Sequence, residues 1–102
     1  MNIQDTMLAL CETFPSLAAK MRISDRSERL MYRGWDPDEL DAYAVGPAST
    51  SGLRHAARFV LAVWNSRGEW KCGTFNAVEA LQCWDRDHRD AFQRWVLDPW
   101  WA

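Results

Sequence analysis

The chain has no apolar run approaching 18 residues, so it offers no candidate for a membrane-spanning helix. Between Met1 and Lys20 there is neither a basic start nor an uninterrupted apolar stretch, and no secretory signal is read there. Glycine is sparse and scattered; Gly68 and Gly73 stand alone as turn residues. That removes Gly-rich phosphate cradles and Gly-flanked nucleophile turns from consideration. Cysteine is limited to Cys11, Cys72 and Cys83, an odd number at wide spacing. With no signal segment, this points to free thiols in a reducing cytoplasm. Histidine is limited to His55 and His88. Structural zinc sites usually place two ligands two to four residues apart. Cys72 and Cys83 are eleven apart, and Cys83 to His88 crosses a junction between two expected helices. No metal and no cofactor are expected. Neither sign of charge dominates: the net charge is −2. Residues 1–50 carry eight acids and five bases, and residues 51–102 carry six acids and seven bases. So small an asymmetry does not by itself imply nucleic acid.

What the chain does have is apolar mass. Hydrophobic residues make up 48% of 102 positions, enough for one domain over residues 1–102 with a real core. Seven tryptophans stand out, since each can bury roughly 150–250 Å². The stretch Leu53–Trp64 reads as a helix that is nearly all core. Leu53, Ala57, Val60, Leu61 and Trp64 recur at three-and-four spacing, and Ala56, Phe59 and Val63 widen that face. Only Arg54, His55, Arg58 and Ala62 remain for the outside.

Other segments read as short helices around it. Residues 3–13 place Ile3, Met7, Leu10 and Cys11 or Phe14 on one side, and Pro15 opens a second helix from Ser16 to Met21. Ser24 or Asp25 is expected to cap a helix through Tyr32, with Gly34 as its left-handed C-terminal residue. Asp36-Pro37-Asp38-Glu39 is the clearest helix start in the chain, running to about Ala44. The turn-rich residues 45–52 form a loop, one of whose hydroxyls should cap the Leu53–Trp64 helix. Residues 69–74 alternate but have no strand to pair with, so an ordered connection is expected. Asn76 to Glu79 reads as a capping box opening a helix with Ala77, Ala80, Leu81 and Trp84 inward. Asp85 caps the last helix, whose inward stripe is Ala91, Phe92, Trp95 and Val96, and Asp98-Pro99 ends it. The expected fold is all-α: an irregular bundle of five or six short helices around a central apolar helix.

One half of the chain has a recognisable run: Arg54 to Leu61, Val63-Trp64-Asn65, Trp70 to Gly73, Phe75, Ala80, Trp84-Asp85, His88-Arg89, Ala91-Phe92, Trp95, and Pro99-Trp100-Trp101. Over roughly residues 49–102 it resembles a group of small Trp-rich bacterial proteins. That resemblance transfers no activity.

Function is therefore read from clusters of residues. Asp36, Asp38, Glu39 and Asp41 put four carboxylates into six residues, flanked by Trp35 and Tyr43. The chain ends Trp100-Trp101, and successive side chains point in different directions. We expect Trp100 inside and Trp101 outside. Exposed aromatics beside charge are what contact surfaces use, so Trp35, Asp36, Asp38, Glu39, Asp41 and Trp101 are the candidate partner-binding residues. Arg22, Arg26, Arg29 and Arg33, spaced four, three and four apart, form an alternative stripe for phosphates along one helical face. The ordinary reading of that stripe is a solvated face laced with weak ion pairs, because Asp25 and Glu28 interrupt it. A cysteine activated by His55 or His88, oriented by Asp85, Asp87 or Asp90, is a third reading with no local motif behind it. His88 is placed on a wet helical face.

The expectation is a cytoplasmic, non-enzymatic protein that binds another protein, as an inhibitor or adaptor of bacterial or mobile-element origin. Small phage-encoded inhibitors such as anti-CRISPR proteins share this profile in type, not in motif. A homodimer is one form such a contact takes. The second reading is a nucleic-acid-associated regulator using Arg26, Arg29 and Arg33; the third is a small Cys/His enzyme.

Overall fold

Short polar side chains decide where the helices begin. The computed structural model describes residues 2–102 as six helices, with no strand among the described residues. They are α1 (Ile3–Glu12), α2 (Pro15–Met21), α3 (Pro37–Val45), α4 (Ser51–Trp64), α5 (Ala77–Cys83) and α6 (Arg86–Leu97). Asn2, Asp36, Thr50, Asn76 and Asp85 cap five of them, each accepting from an amide in the first turn. Such a cap contributes about 1 kcal/mol by giving an otherwise orphaned N–H a partner. The sixth, α2, has Phe14 at its start with no side-chain cap, and Pro15 at its first position removes one of the free donors. Glu79 does not close a reciprocal box with Asn76; only the Asn76 half forms.

The all-α reading holds, and α4 supplies the largest share of buried side chains. Leu53, Ala56, Ala57, Phe59, Val60, Leu61 and Val63 are all buried. Around it pack α1, α2, α3 and α5. Each fully buried Leu, Val or Phe contributes about 1.5–3 kcal/mol, so the five on this face together contribute on the order of 10 kcal/mol, comparable to the whole net stability of a domain. Met7, Leu10, Cys11 and Phe14 meet it from the N-terminal side, and Leu40 and Ala44 meet it from α3. One continuous core therefore runs from Met7 to Ala91, drawing on both halves of the chain. The fourth side is aromatic. Phe59 has the rings of Phe14, Phe75, Phe92 and Trp95 within 5.1–5.7 Å of its own. Through these contacts α6, which is rich in charge, reaches the core with Ala91, Phe92 and Trp95, and His88 joins them against the rings of Phe14 and Trp84.

The structure corrects five expectations. Trp64 is half-buried, lying against Trp35 with ring centroids 5.3 Å apart, because it sits on the last turn of α4. Leu81 (42% exposed) and Val96 (47% exposed) face outward; α5 buries only Ala80, and Val96 falls one step round the helix from the Phe92–Trp95 stripe. Ile3 is exposed at the start of α1. No helix forms over residues 24–32, which are a chain of turns. There Asp25 Oδ1 accepts from both the amide and the hydroxyl of Ser27, at 2.9 and 2.8 Å. Asp and Ser compete with helix in this way by offering the backbone a local alternative. The Leu30 amide donates to Lys20 O at 3.0 Å, which closes the segment into a loop. Met31 takes a left-handed φ of 55°, the only positive φ at a non-glycine among the described residues. Gly34, at φ 111°, then turns the chain into α3.

Candidate functional site

The acidic segment faces inward more than its composition implies. Asp36 is the cap of α3, accepting from the amides of Asp38 and Glu39 at 3.1 Å each. Glu39 accepts from the amide of Met31. Asp41 is buried, and its two oxygens take the amides of Lys71 (2.9 Å) and Cys72 (2.8 Å). Burial alone raises a carboxyl pKa; here the Cys72 and Lys71 amides, helped by the Lys71 charge, outweigh it and hold Asp41 below the usual carboxylate range. Trp35 is also buried, at 9% exposure. Among the six expected contact residues, Asp41 and Trp35 are thus structural, and Asp36 and Glu39 are committed to backbone donors. Asp38 and Trp101 remain free and exposed.

The C-terminal pair divides as expected. Trp100 is half-buried against the core, and its carbonyl accepts from Trp95 Nε1 at 3.0 Å. Trp101 is 62% exposed. It is nonetheless held: its ring meets Trp95 edge-to-face at 5.2 Å, and the next amide, Ala102, donates to Val63 O at 3.1 Å. Leu97, 76% exposed, and Val96 stand just upstream at the end of α6.

The basic segment gathers differently from the expected stripe. Without a helix over residues 24–32 the arginines do not line one face; Arg22 ends α2 on the surface, while Arg26, Arg29 and Arg33 converge on a cleft of about 920 Å³. Lys20, Tyr32 and Tyr43 line it as well, and sequence reasoning named none of the three as site residues. The position of Tyr32 between Arg29 and Arg33 was the one available signal. The guanidinium carbons of Arg26 and Arg29 stand 5.6 and 5.5 Å from the Tyr32 ring centroid, within range of cation–π attraction. Arg29 is tethered further by donating to Ile23 O at 2.7 Å and Ser24 O at 3.3 Å.

The cysteines and histidines make a separate set. Among the described residues the three cysteines are free thiols, and no group of three or more His, Cys, Asp or Glu side chains is arranged to hold a metal. Burial pushes the Cys11 thiol up to about 12. Burial, with the Asp41 hydrogen bond and charge, does the same to Cys72, so both are poor nucleophiles. Cys83 is exposed and its Sγ reaches Ser51 Oγ at 3.2 Å rather than a histidine. His55 has a lowered pKa, from burial first and then from Arg58, and its Nδ1 has no hydrogen-bond partner.

His88 is buried, contrary to its expected wet face. Its Nδ1 lies 2.8 Å from Asp85 Oδ1, and its Nε2 lies 2.7 Å from Ser16 Oγ and 3.3 Å from the Ser16 amide. With Nδ1 donating to Asp85, Nε2 is left to accept from both Ser16 donors. The order Ser16–His88–Asp85 is that of a catalytic triad. The Ser16 amide gives it a plainer role: His88 supplies the cap that α2 otherwise lacks. No sequence signal pairs residues 72 positions apart. Ser16 and His88 line neither the cleft at Arg26, Arg29 and Arg33 nor the one formed by Thr13, Pro15, Asp87, Asp90 and Gln93.

No family model, no curated protein and no solved structure matches the chain. No helix among the described residues is long and apolar enough to cross a membrane.

Proposed function

We propose that this is a non-enzymatic protein that binds a protein partner, as an inhibitor or adaptor, with its contact centred on Trp101. The observation that carries this reading is a large aromatic side chain that is exposed yet fixed. Trp101 is 62% exposed while Trp95 and the Ala102–Val63 bond set its position. A rigid exposed indole loses little freedom on binding and carries a large apolar area, which is why tryptophan is enriched at interface hot spots. Leu97 and Val96 extend the same end of α6, and Asp38 is the remaining free carboxylate from the acidic segment. Three free thiols support a reducing, cytoplasmic setting.

Affinity capture from a bacterial extract, run in parallel with wild type and Trp101→Ala, tests the proposal. A partner retained by wild type and reduced at least tenfold by the variant is the expected result; a partner retained equally by both overturns it. Sedimentation of the purified protein separates a foreign partner from a second copy of the chain. Stability serves as the control. Deleting Trp101-Ala102 should cost less than about 1 kcal/mol, since only an exposed edge contact and one peripheral bond are lost. Deleting from Trp100 onward should cost more, because the half-buried ring goes too.

A further inference from the structure

We propose that the cleft between residues 20–33 and α3 binds a nucleoside polyphosphate. This is a site independent of the Trp101 surface, and it rests on how the lining is built. Lys20, Arg26, Arg29 and Arg33 line the cleft with only Glu28 and Glu39 as counter-charges. The lining therefore carries +2, and since the whole chain carries −2, the rest of the molecule carries −4. Positive charge is concentrated where the surface is concave. Among the described residues the ion pairs are Arg86–Asp90 and His88–Asp85, so no carboxylate lies within 4.0 Å of any of the four cations. Glu39, the nearest acid in sequence to the cleft's far wall, is committed to the Met31 amide. Four cations that share a cleft and lack carboxylate partners repel one another, and an incoming anion relieves that repulsion.

The arginines are also pre-positioned. Arg29 is pinned by Ile23 O and Ser24 O, and Tyr32 holds Arg26 and Arg29 beside one ring. The loop that carries them is fixed at both ends by Leu30 N–H to Lys20 O and Gly34 N–H to Met31 O, each 3.0 Å. Between these ties Met31 is held at φ 55°, a conformation that costs a side-chain-bearing residue about 1–2 kcal/mol. Strain of this kind persists where the surroundings over-determine it, and it concentrates at ligand clamps.

Two features narrow the anion to a nucleotide. Planar guanidiniums match phosphate oxygens in bidentate geometry, and four cations in one cleft suit a multiply charged anion such as a polyphosphate better than a single carboxylate. Apart from Ser27 and the charged groups, the lining is apolar and aromatic (Ile23, Leu30, Tyr32, Tyr43 and Ala48) and suits a base and sugar. A volume of about 920 Å³ lies within the range of small-molecule clefts. An extended strand is the poorer fit, because the remainder of the molecule carries a net −4.

Calorimetric titration of the full chain at low salt with adenosine triphosphate tests this, with inorganic triphosphate, adenosine and a twelve-residue oligothymidine as comparison probes. The expected result is saturable one-to-one binding of adenosine triphosphate, at least tenfold tighter than either fragment. Arg26→Gln/Arg33→Gln should weaken it at least tenfold while melting as wild type, since neither side chain makes a hydrogen bond. Should that double variant melt early, Lys20→Gln replaces it, with the same expectation of weakened binding. Absence of saturable binding, inorganic triphosphate binding within threefold of the nucleotide, tighter binding of the oligonucleotide, or variants that bind unchanged would each overturn the proposal.

Discussion

The acidic stretch Asp36–Asp41 and the basic stretch Arg22–Arg33 are neighbours in sequence and partly in space, yet the fold uses them in opposite ways. Three of the four carboxylates accept from backbone amides: Asp36 from its own helix, Glu39 from Met31, Asp41 from Lys71 and Cys72. Among Arg22, Arg26, Arg29 and Arg33, only the Arg29 side chain donates to the protein. The difference follows from what each side chain can do. A carboxylate on a short stem is an acceptor, and a folded chain has orphan amides at helix starts and turns that need one. A guanidinium on a long stem reaches past the local backbone into a cleft. Charge density in a sequence therefore says little about a surface until the backbone donors nearby are counted.

Removing Asp41 should have the largest effect on stability. Asp41→Ala leaves the Lys71 and Cys72 amides buried without an acceptor, and should cost about 3 kcal/mol in chemical denaturation. A loss below about 0.5 kcal/mol would place Asp41 with the surface acids instead. The acid limb of the stability curve should show the same residue. Asp41's folded-state pKa lies below its ordinary 3.8, so its contribution is complete above that value and is lost as pH falls through the lower one. Wild type should lose stability on acidification below about pH 4 more steeply than Asp41→Asn. The smallest effects belong to the free charges. Asp38→Asn and Arg26→Gln/Arg33→Gln should each stay within about 0.5 kcal/mol of wild type. A larger loss in the arginine variant would make that cluster structural and sharpen the contrast away.

What the sequence made legible is what local rules govern. The starts of α3, α4, α5 and α6 follow from Asp36-Pro37, the hydroxyl of the turn-rich loop, Asn76 and Asp85, because a cap acts within one turn. The buried face of α4 follows from periodicity alone. The tail also read correctly, since Pro99 ends α6 and adjacent tryptophans must diverge. What stayed hidden depends on partners distant in the chain. Residues 24–32 look like a helix until Lys20 O captures the Leu30 amide and Asp25 turns back on Ser27. His88 looks solvated until Ser16 meets it. Asp41 looks like one more acid in a patch until the turn at Lys71-Cys72 folds over it. Lys20, Tyr32 and Tyr43 had no reason to be grouped before the loop existed.

The acidic segment is spent on the backbone while the basic one is presented. Amide hydrogen exchange at Lys71 and Cys72 reads this most directly. If Asp41 holds them, both amides exchange only through large-scale opening, with protection near that of α4 despite lying in an irregular segment. Exchange at the rate of the exposed turn amides around Ser66 and Arg67 would contradict it.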